Sequence, residues 1–228
     1  MELAELKRLA GEKAVELVVK PGMVLGLGTG STAVHAVRKI GQLWQAGELP
    51  DITGIPTSEE TAREAKTWDI PLGTLNDYPS VDVTIDGADE IDPQLDLIKG
   101  LGGALLREKI VAAASKRMVV VADERKKVTQ LGTHAPVPVE VVSFAERPCT
   151  DYLQSLGAKV SKRLVDEQLF ITDEQNIILD CHFDSIANPA QLSQAIRTQP
   201  GVVEHGLFLH LATDVVLATS QGIKTYTR

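Results

Sequence analysis

Residues 84–109 read TIDGADEIDPQLDLIKGLGGALLREK, and this stretch decides the fold. It closes an apolar run over 81–85 that reads as a buried strand. Four carboxylates come next: Asp86, Asp89, Glu90 and Asp92. Lys99 and a Gly-Leu-Gly-Gly turn over 100–103 follow, and the turn opens a helix that carries Glu108. Carboxylates, an amine, flexible backbone amides and a further carboxylate in one strand–loop–helix unit are the parts of a proton-transfer site.

The pattern continues on both sides. Residues 23–27, 52–57, 81–85 and 118–122 read as short apolar strands, and 31–46, 58–67 and 104–115 as helices between or after them. Ser31 or Thr32 is the expected cap of the first of these helices. Unbroken apolar strands alternating with helices indicate a parallel sheet covered on both faces, an α/β fold. After Gly132 the rhythm changes. Strands are expected within 134–142 and over 158–164, 169–172, 176–181 and 201–204, with helices over 144–156 and 189–197. The core of this segment reads β-α-β-β-α-β with one extra strand, the ferredoxin-like order. The tail from Leu207 reads as two or three strands completing the first sheet. Residues 1–131 and 206–228 are therefore expected to form the parallel-sheet domain, and 132–205 an inserted smaller α+β domain.

Composition excludes several classes. The chain has 228 residues, 43% hydrophobic and 24% charged, enough for one or two cored domains. Net charge is -8 with no Lys/Arg-rich block, so a nucleic-acid partner is not expected. No apolar run approaches membrane-spanning length, so no membrane partner is expected either. The first residues, MELAELKRLAGEKAVEL, form a charged amphipathic helix rather than a signal peptide, which points to the cytoplasm. Cys149 and Cys181 lie far apart and read as reduced buried thiols. The five histidines form no metal-binding spacing, and no zinc site is expected.

Three further segments carry chemistry. Residues 26–32, GLGTGST, join a strand to a helix, where glycines let amides approach a phosphate and the helix start adds positive potential. A plain tight turn is the other reading. The dinucleotide register from Gly26 needs glycine at position 31 and meets Ser31, so NAD is not expected. In the acidic run, Asp86 ends a strand where open α/β sheets bind ligands. Four acids could hold Mg²⁺, but Lys99 close behind makes a metal cage less necessary, and no metal is expected. The amides of Gly100, Gly102 and Gly103 could form an oxyanion hole. Glu108 has only apolar helical neighbours (Ala104, Leu105, Val111 and Ala112), which makes it a candidate general base; a surface glutamate is the alternative. After the strand at 118–122 come Asp123, Lys126 and Lys127, and one lysine could meet a substrate phosphate.

Taken in order, GLGTGSTA, DGADEID, KGLGGALLREKI, VVVADERKKV, PVPVEV and GVVEHGLF resemble ribose-5-phosphate isomerases of the A type over essentially the whole chain. The resemblance implies a Rossmann-like domain with a smaller α/β domain, and interconversion of ribose 5-phosphate and ribulose 5-phosphate with no cofactor. It places the general base on Glu108. It places the substrate loops on Thr29, Gly30, Ser31 and Thr32, on Asp86, Gly87, Ala88 and Asp89, and on Lys99, Gly100, Leu101 and Gly102. Lys126 becomes the substrate-binding lysine. Asp86 or Asp89 is expected to assist ring opening, and Lys99 to stabilise an oxyanion on the way through an enediolate. The resemblance also implies a homodimer or homotetramer. Leu101 interrupts the glycines that relatives often carry, and PTSEET replaces a more Ser-rich run. The rival readings are a related sugar-phosphate isomerase or deaminase, and a sugar-phosphate-sensing module, which would have no need of Glu108.

Overall fold

The computed structural model describes residues 2–228, which form two compact units. The first takes the chain up to Ala88, then Arg107–Lys126 and His210–Arg228. With strands and helices numbered in chain order, its sheet contains β1 (Val24–Leu27), β2 (Thr53–Pro56), β3 (Val83–Gly87), β6 (Met118–Asp123), β14 (Asp214–Thr219) and β15 (Gly222–Thr227). The order is β15-β14-β6-β3-β1-β2, and every pair is parallel except β14 with β15. Two tail strands thus complete the first sheet.

Side-chain alternation sets the two layers. Leu25, Leu27, Ile85, Val119 and Val121 pack with α1 (Leu3–Val18) and α2 (Ala33–Gln45) on one face. On the other face α4 (Leu105–Ala113) crosses close to β1 and β3. A Cβ on Gly26 would stand 2.9 Å from Val111 Cγ1, and Ser115 Oγ lies 2.6 Å from Thr84 Oγ1. Residue 26 therefore has no room for a side chain. Thr32 occupies the position before α2, but its side chain makes no capping hydrogen bond, contrary to the expected cap. Ser58 does cap α3 (Glu59–Thr67), accepting from Thr61 N at 3.0 Å.

The second unit comprises Asp89–Leu106 and Lys127–Leu209. Its main sheet holds β7 (Val137–Val141), β8 (Lys159–Lys162), β11 (Ile177–His182) and β12 (Val202–His205), in the fully antiparallel order β12-β7-β11-β8. With α5 (Glu146–Ser155) and α6 (Pro189–Arg197) this is the ferredoxin-like arrangement. Val137, Val139, Val141, Leu179 and Cys181 meet Cys149, Leu153 and Ile196 in one core. Both cysteines are buried free thiols. A small hairpin, β9 (Leu164–Val165) with β10 (Gln168–Leu169), sits between β8 and β11.

This unit reaches beyond residues 132–205. β4 (Glu90–Ile91), β5 (Leu97–Ile98) and β13 (Leu207–Phe208) form a three-stranded antiparallel sheet of their own. The first strand of the tail therefore pairs with the segment after Asp89, not with the parallel sheet. The architecture is α/β, a Rossmann-like parallel sheet together with a smaller ferredoxin-like α+β unit.

Candidate active site

In the first unit the parallel strands end together. Leu27 of β1 is level with Ile85 of β3, and Gly87 of β3 with Val121 of β6. The loop from Thr29, Asp86 near the end of β3, and Lys126 in the turn after β6 thus open on the carboxyl edge, where such sheets bind ligands. Asp86 is fully buried and ties two strands together. Its Oδ1 accepts from Thr29 N at 3.1 Å and Gly87 N at 2.7 Å. The approach is close because residue 28 is glycine: a Cβ there would stand 2.5 Å from Asp86 Cα.

Thr29 turns its hydroxyl inward. Oγ1 lies 2.7 Å from Thr57 Oγ1, 2.8 Å from Ser58 Oγ and 3.0 Å from Thr61 Oγ1. Thr57 and Thr61 donate onward to the carbonyls of Leu27 and Gly28, each at 3.0 Å. This buried hydroxyl cluster fixes the loop to the start of α3. Ser31, in contrast, is exposed and accepts from Lys7 Nζ at 2.8 Å. The backbone at Gly30 is left-handed, φ 103°, where alanine would be strained.

Glu108 is only 5% exposed, so it is not a surface glutamate. It shares a helix face with Val111 and Ser115, three and seven residues on, which pack over Gly26 and Thr84. α4 is followed by Ser115, which bridges Val81 at the amino end of β3, so the start of the helix, with Glu108, lies toward the carboxyl edge of the sheet. The neighbouring Arg107 faces the other way and pairs with Glu59 at 2.8 Å, at the start of α3. Lys126 is half-buried. Asp123 beside it is buried, which alone would raise its pKa, but the Arg125 guanidinium at 2.8 Å, the Arg125 amide and the charge of Lys126 together outweigh burial and hold it below the usual carboxylate value.

The second unit carries Asp89 and the loop after Lys99. Lys99 is 2% exposed, with Nζ 5.5 Å from the centre of the Phe208 ring, a cation–π contact. Asp89 Oδ2 accepts from Leu101 N at 3.0 Å. Gly103 N donates to Gly100 O at 3.0 Å, so the turn itself consumes one of the amides expected to form an oxyanion hole. Arg163 donates to Gly100 O at 2.6 Å and to Leu101 O at 3.1 Å.

The acidic run divides by role. Glu90 is buried and accepts from the amides of Gly132 (2.6 Å), His134 (2.5 Å) and Ala135 (2.7 Å), so it organises a loop. Asp92 accepts from the amides of Gln94 at 2.9 Å and Asp96 at 2.8 Å, closing a turn. Among the described residues, no three or more His, Cys, Asp or Glu side chains cluster as they would around a metal ion, and no helix is long and apolar enough to cross a membrane.

The family model of ribose 5-phosphate isomerase A (phosphoriboisomerase A) matches residues 53–222. The chain belongs to that family. Ribose-5-phosphate isomerase A of Gloeobacter violaceus is 52% identical over 228 residues, covering 100% of this chain and 98% of its own. The solved ribose 5-phosphate isomerase A of Methanocaldococcus jannaschii matches at 41% identity with a TM-score of 0.94, over 100% of both chains. A solved D-ribose-5-phosphate isomerase in complex with phospho-erythronic acid matches at 38% identity with a TM-score of 0.96, again over 100% of both chains. The isomerisation that names the family is this enzyme's activity.

Within the isomerase's first unit, the structure gathers Thr29 and Asp86 into one hydrogen-bonded group and places Glu108 toward the same sheet edge. Within the second it joins Asp89 to the amide of Leu101. Sequence reasoning missed Thr57, Ser58 and Thr61 as supports of the isomerase's first loop. The hydroxyls of PTSEET were their only signal. It also missed Arg163, which has no local signal, since the carbonyls it binds lie 63 and 62 residues away.

Proposed function

We propose that this isomerase interconverts the two pentose phosphates through an enediolate, with Glu108 as the general base. The observation that carries the reading is the burial of Glu108 near the start of α4, the helix end that lies toward the edge where Asp86 and the glycine loop stand. The amides and hydroxyls of Gly30, Ser31 and Thr32 hold the phosphate, with Lys126 as a counter-charge. Thr29 contributes through its backbone, because its hydroxyl is committed inward. Asp86 or Asp89 takes the anomeric hydroxyl proton as the bond from C1 to the ring oxygen breaks, and passes it to that oxygen. Glu108 then removes the C2 proton of the open aldose. The C–H electrons form the C1–C2 double bond, and the former carbonyl oxygen becomes an oxyanion stabilised by Lys99 and the amides of its loop. Glu108 returns the proton to C1 while the C2 hydroxyl proton passes to the O1 oxyanion, which leaves a ketone at C2 and a hydroxyl at C1. No cofactor enters, since atoms and electrons balance within the sugar and the base.

Phospho-erythronic acid, bound by a solved relative, bears a carboxylate whose two oxygens resemble those of an enediolate. It should therefore inhibit this enzyme competitively. The reading includes a cytoplasmic homodimer or homotetramer, as the family resemblance implies, and sedimentation measures the assembly.

The test is Glu108→Gln at saturating ribose 5-phosphate. Turnover should fall by about two to four orders of magnitude, the share of a positioned base, while binding survives. In heavy water the wild type should place deuterium at C1 of the ketose to the extent that the abstracted proton exchanges. Near-normal turnover in Glu108→Gln would move the base to Asp86 or Asp89.

A further inference from the structure

We propose that Arg163 is a positioning residue of this isomerase, acting on the peptide groups of the loop after Lys99 rather than on the sugar. The inference rests on the reading that this loop belongs to the catalytic site.

Arg163 follows β8 directly and is buried. Its Nη1 donates to Gly100 O at 2.6 Å and Leu101 O at 3.1 Å, while Nε donates to Asp180 Oδ2 at 3.0 Å and Nη2 to Asp180 Oδ1. Asp180 sits on β11, opposite Ser161 of β8, so the sheet register fixes the carboxylate that holds the guanidinium. Arginine's planar fork allows this double engagement, and a lysine ammonium would not.

The consequence lies on the far side of the two peptides. In a trans peptide the N–H points away from the C=O. The peptide that ends in the Gly100 carbonyl carries the N–H of Leu101, and the one that ends in the Leu101 carbonyl carries the N–H of Gly102. Two carbonyls drawn to one cation therefore turn both N–H groups outward from it. The Leu101 N–H reaches Asp89 Oδ2 at 3.0 Å. The Gly102 N–H comes from a residue with open space where a Cβ would stand. A charged donor on the carbonyl also polarises the peptide and strengthens its N–H as a donor. Arg163 thus sets the direction and strength of two amides beside Lys99, and it orients Asp89 through one of them. The far end of the loop is fixed independently. Gly103 is left-handed at φ 85°, and a Cβ there would stand 2.3 Å from Phe170 Cζ.

The experiment compares Arg163→Ala, Arg163→Lys and Lys99→Met in the full-length enzyme, with kcat and KM for ribose 5-phosphate per folded molecule. Arg163→Ala should lower kcat about ten- to hundredfold, less than the loss of a whole oxyanion donor, and change KM less than about threefold. Methylguanidinium should restore part of that kcat, and methylammonium should not. A purely structural role would lower the melting temperature without this rescue. If Arg163→Ala does not fold, Arg163→Lys decides, since it keeps the charge but not the fork. A kcat within about threefold of wild type in Arg163→Lys overturns the inference. Lys99→Met separates the two levels. If it is inactive while Arg163→Lys is normal, only the positioning role fails. If Lys99→Met turns over normally, the loop is not in the site and the reading beneath the inference fails with it.

Discussion

Replacing Gly28 by alanine tests how tightly turnover depends on the seating of Asp86. The added methyl would stand 2.4 Å from Asp86 Oδ1, 2.5 Å from Asp86 Cα and 2.5 Å from Ile85 O. Comfortable carbon contacts begin near ~3.5 Å, so the shortfall is about 1 Å. Two of the three atoms are backbone, and no rotamer change relieves them. β3 is locked in register with β1 as far as Ile85 and with β6 as far as Gly87, so β1 and β3 must part at their ends. That separation breaks the 3.1 Å bond from Thr29 N to Asp86 and moves both the glycine loop and the carboxylate. Gly28 is not among the residues with positive φ, so alanine adds bulk without backbone strain. Overpacking of this kind costs about 1–3 kcal/mol of stability. A misplacement of about 1 Å at a reacting centre costs roughly a hundredfold in rate. Turnover of ribose 5-phosphate, followed by ketose formation and normalised to folded protein from a thermal melt, should fall by about that factor. A folded Gly28→Ala enzyme with kcat within about threefold of wild type would show that Asp86 is structural and that its exact seating does not govern catalysis.

Ser31→Asp should pair with Lys7, which already donates to Ser31 at 2.8 Å, and set a negative charge in the phosphate loop. Apparent KM should rise by at least tenfold, an order-of-magnitude expectation for like-charge placement, and an unchanged KM removes this loop from the site. Glu140 is buried, which raises its pKa despite hydrogen bonds from Asn176 and Thr172. A raised folded-state pKa gives stability that is complete below the unfolded value and lost as pH rises through the folded one. Glu140→Gln, always neutral, should therefore melt higher than wild type at pH 7, and the gap should close as pH falls below about 4, where Glu140 becomes protonated in both states; equal melting temperatures at pH 7 would refute the shift. Dialysis against a strong chelator should leave activity intact, because no described cluster of acids, histidines and cysteines could hold an ion. A loss reversed by Mg²⁺ or Mn²⁺ would make the acidic run a metal site.

Legibility in the sequence followed the range of the interactions. The parallel sheet was readable because β6 is a continuous apolar run buried on both faces, and the ferredoxin-like unit because its strands and helices are long enough to show their periods. β4 and β5 were not, because two residues each are too few for alternation, and their pairing partner β13 lies in the tail. The same limit explains the misread first tail strand and the underestimated reach of the second unit. Thr32 failed as a cap because its backbone is already helical, at φ -105° and ψ -44°, whereas Ser58, which does cap, is extended.

The site shows the same division more sharply. Glu108 announced itself through helical neighbours, all within four residues, and its burial follows from them. The four acids looked alike in sequence, yet they differ in which amides reach them. Glu90 collects three from residues 132–135, Asp92 two from its own turn, Asp86 one from the loop after β1 and one from Gly87, and Asp89 one from the Lys99 loop. A carboxylate in a linear motif reports only that charge is wanted somewhere near. Its task is set by which backbone donors the rest of the fold delivers to it. Arg163 is the limiting case, since the carbonyls it holds lie more than sixty residues away and the carboxylate that holds it lies on another strand. Residues that touch substrate can be found by motif because the sugar phosphate selects their chemistry directly. Residues that hold those in place are selected by the geometry of one fold, and only the fold reveals them.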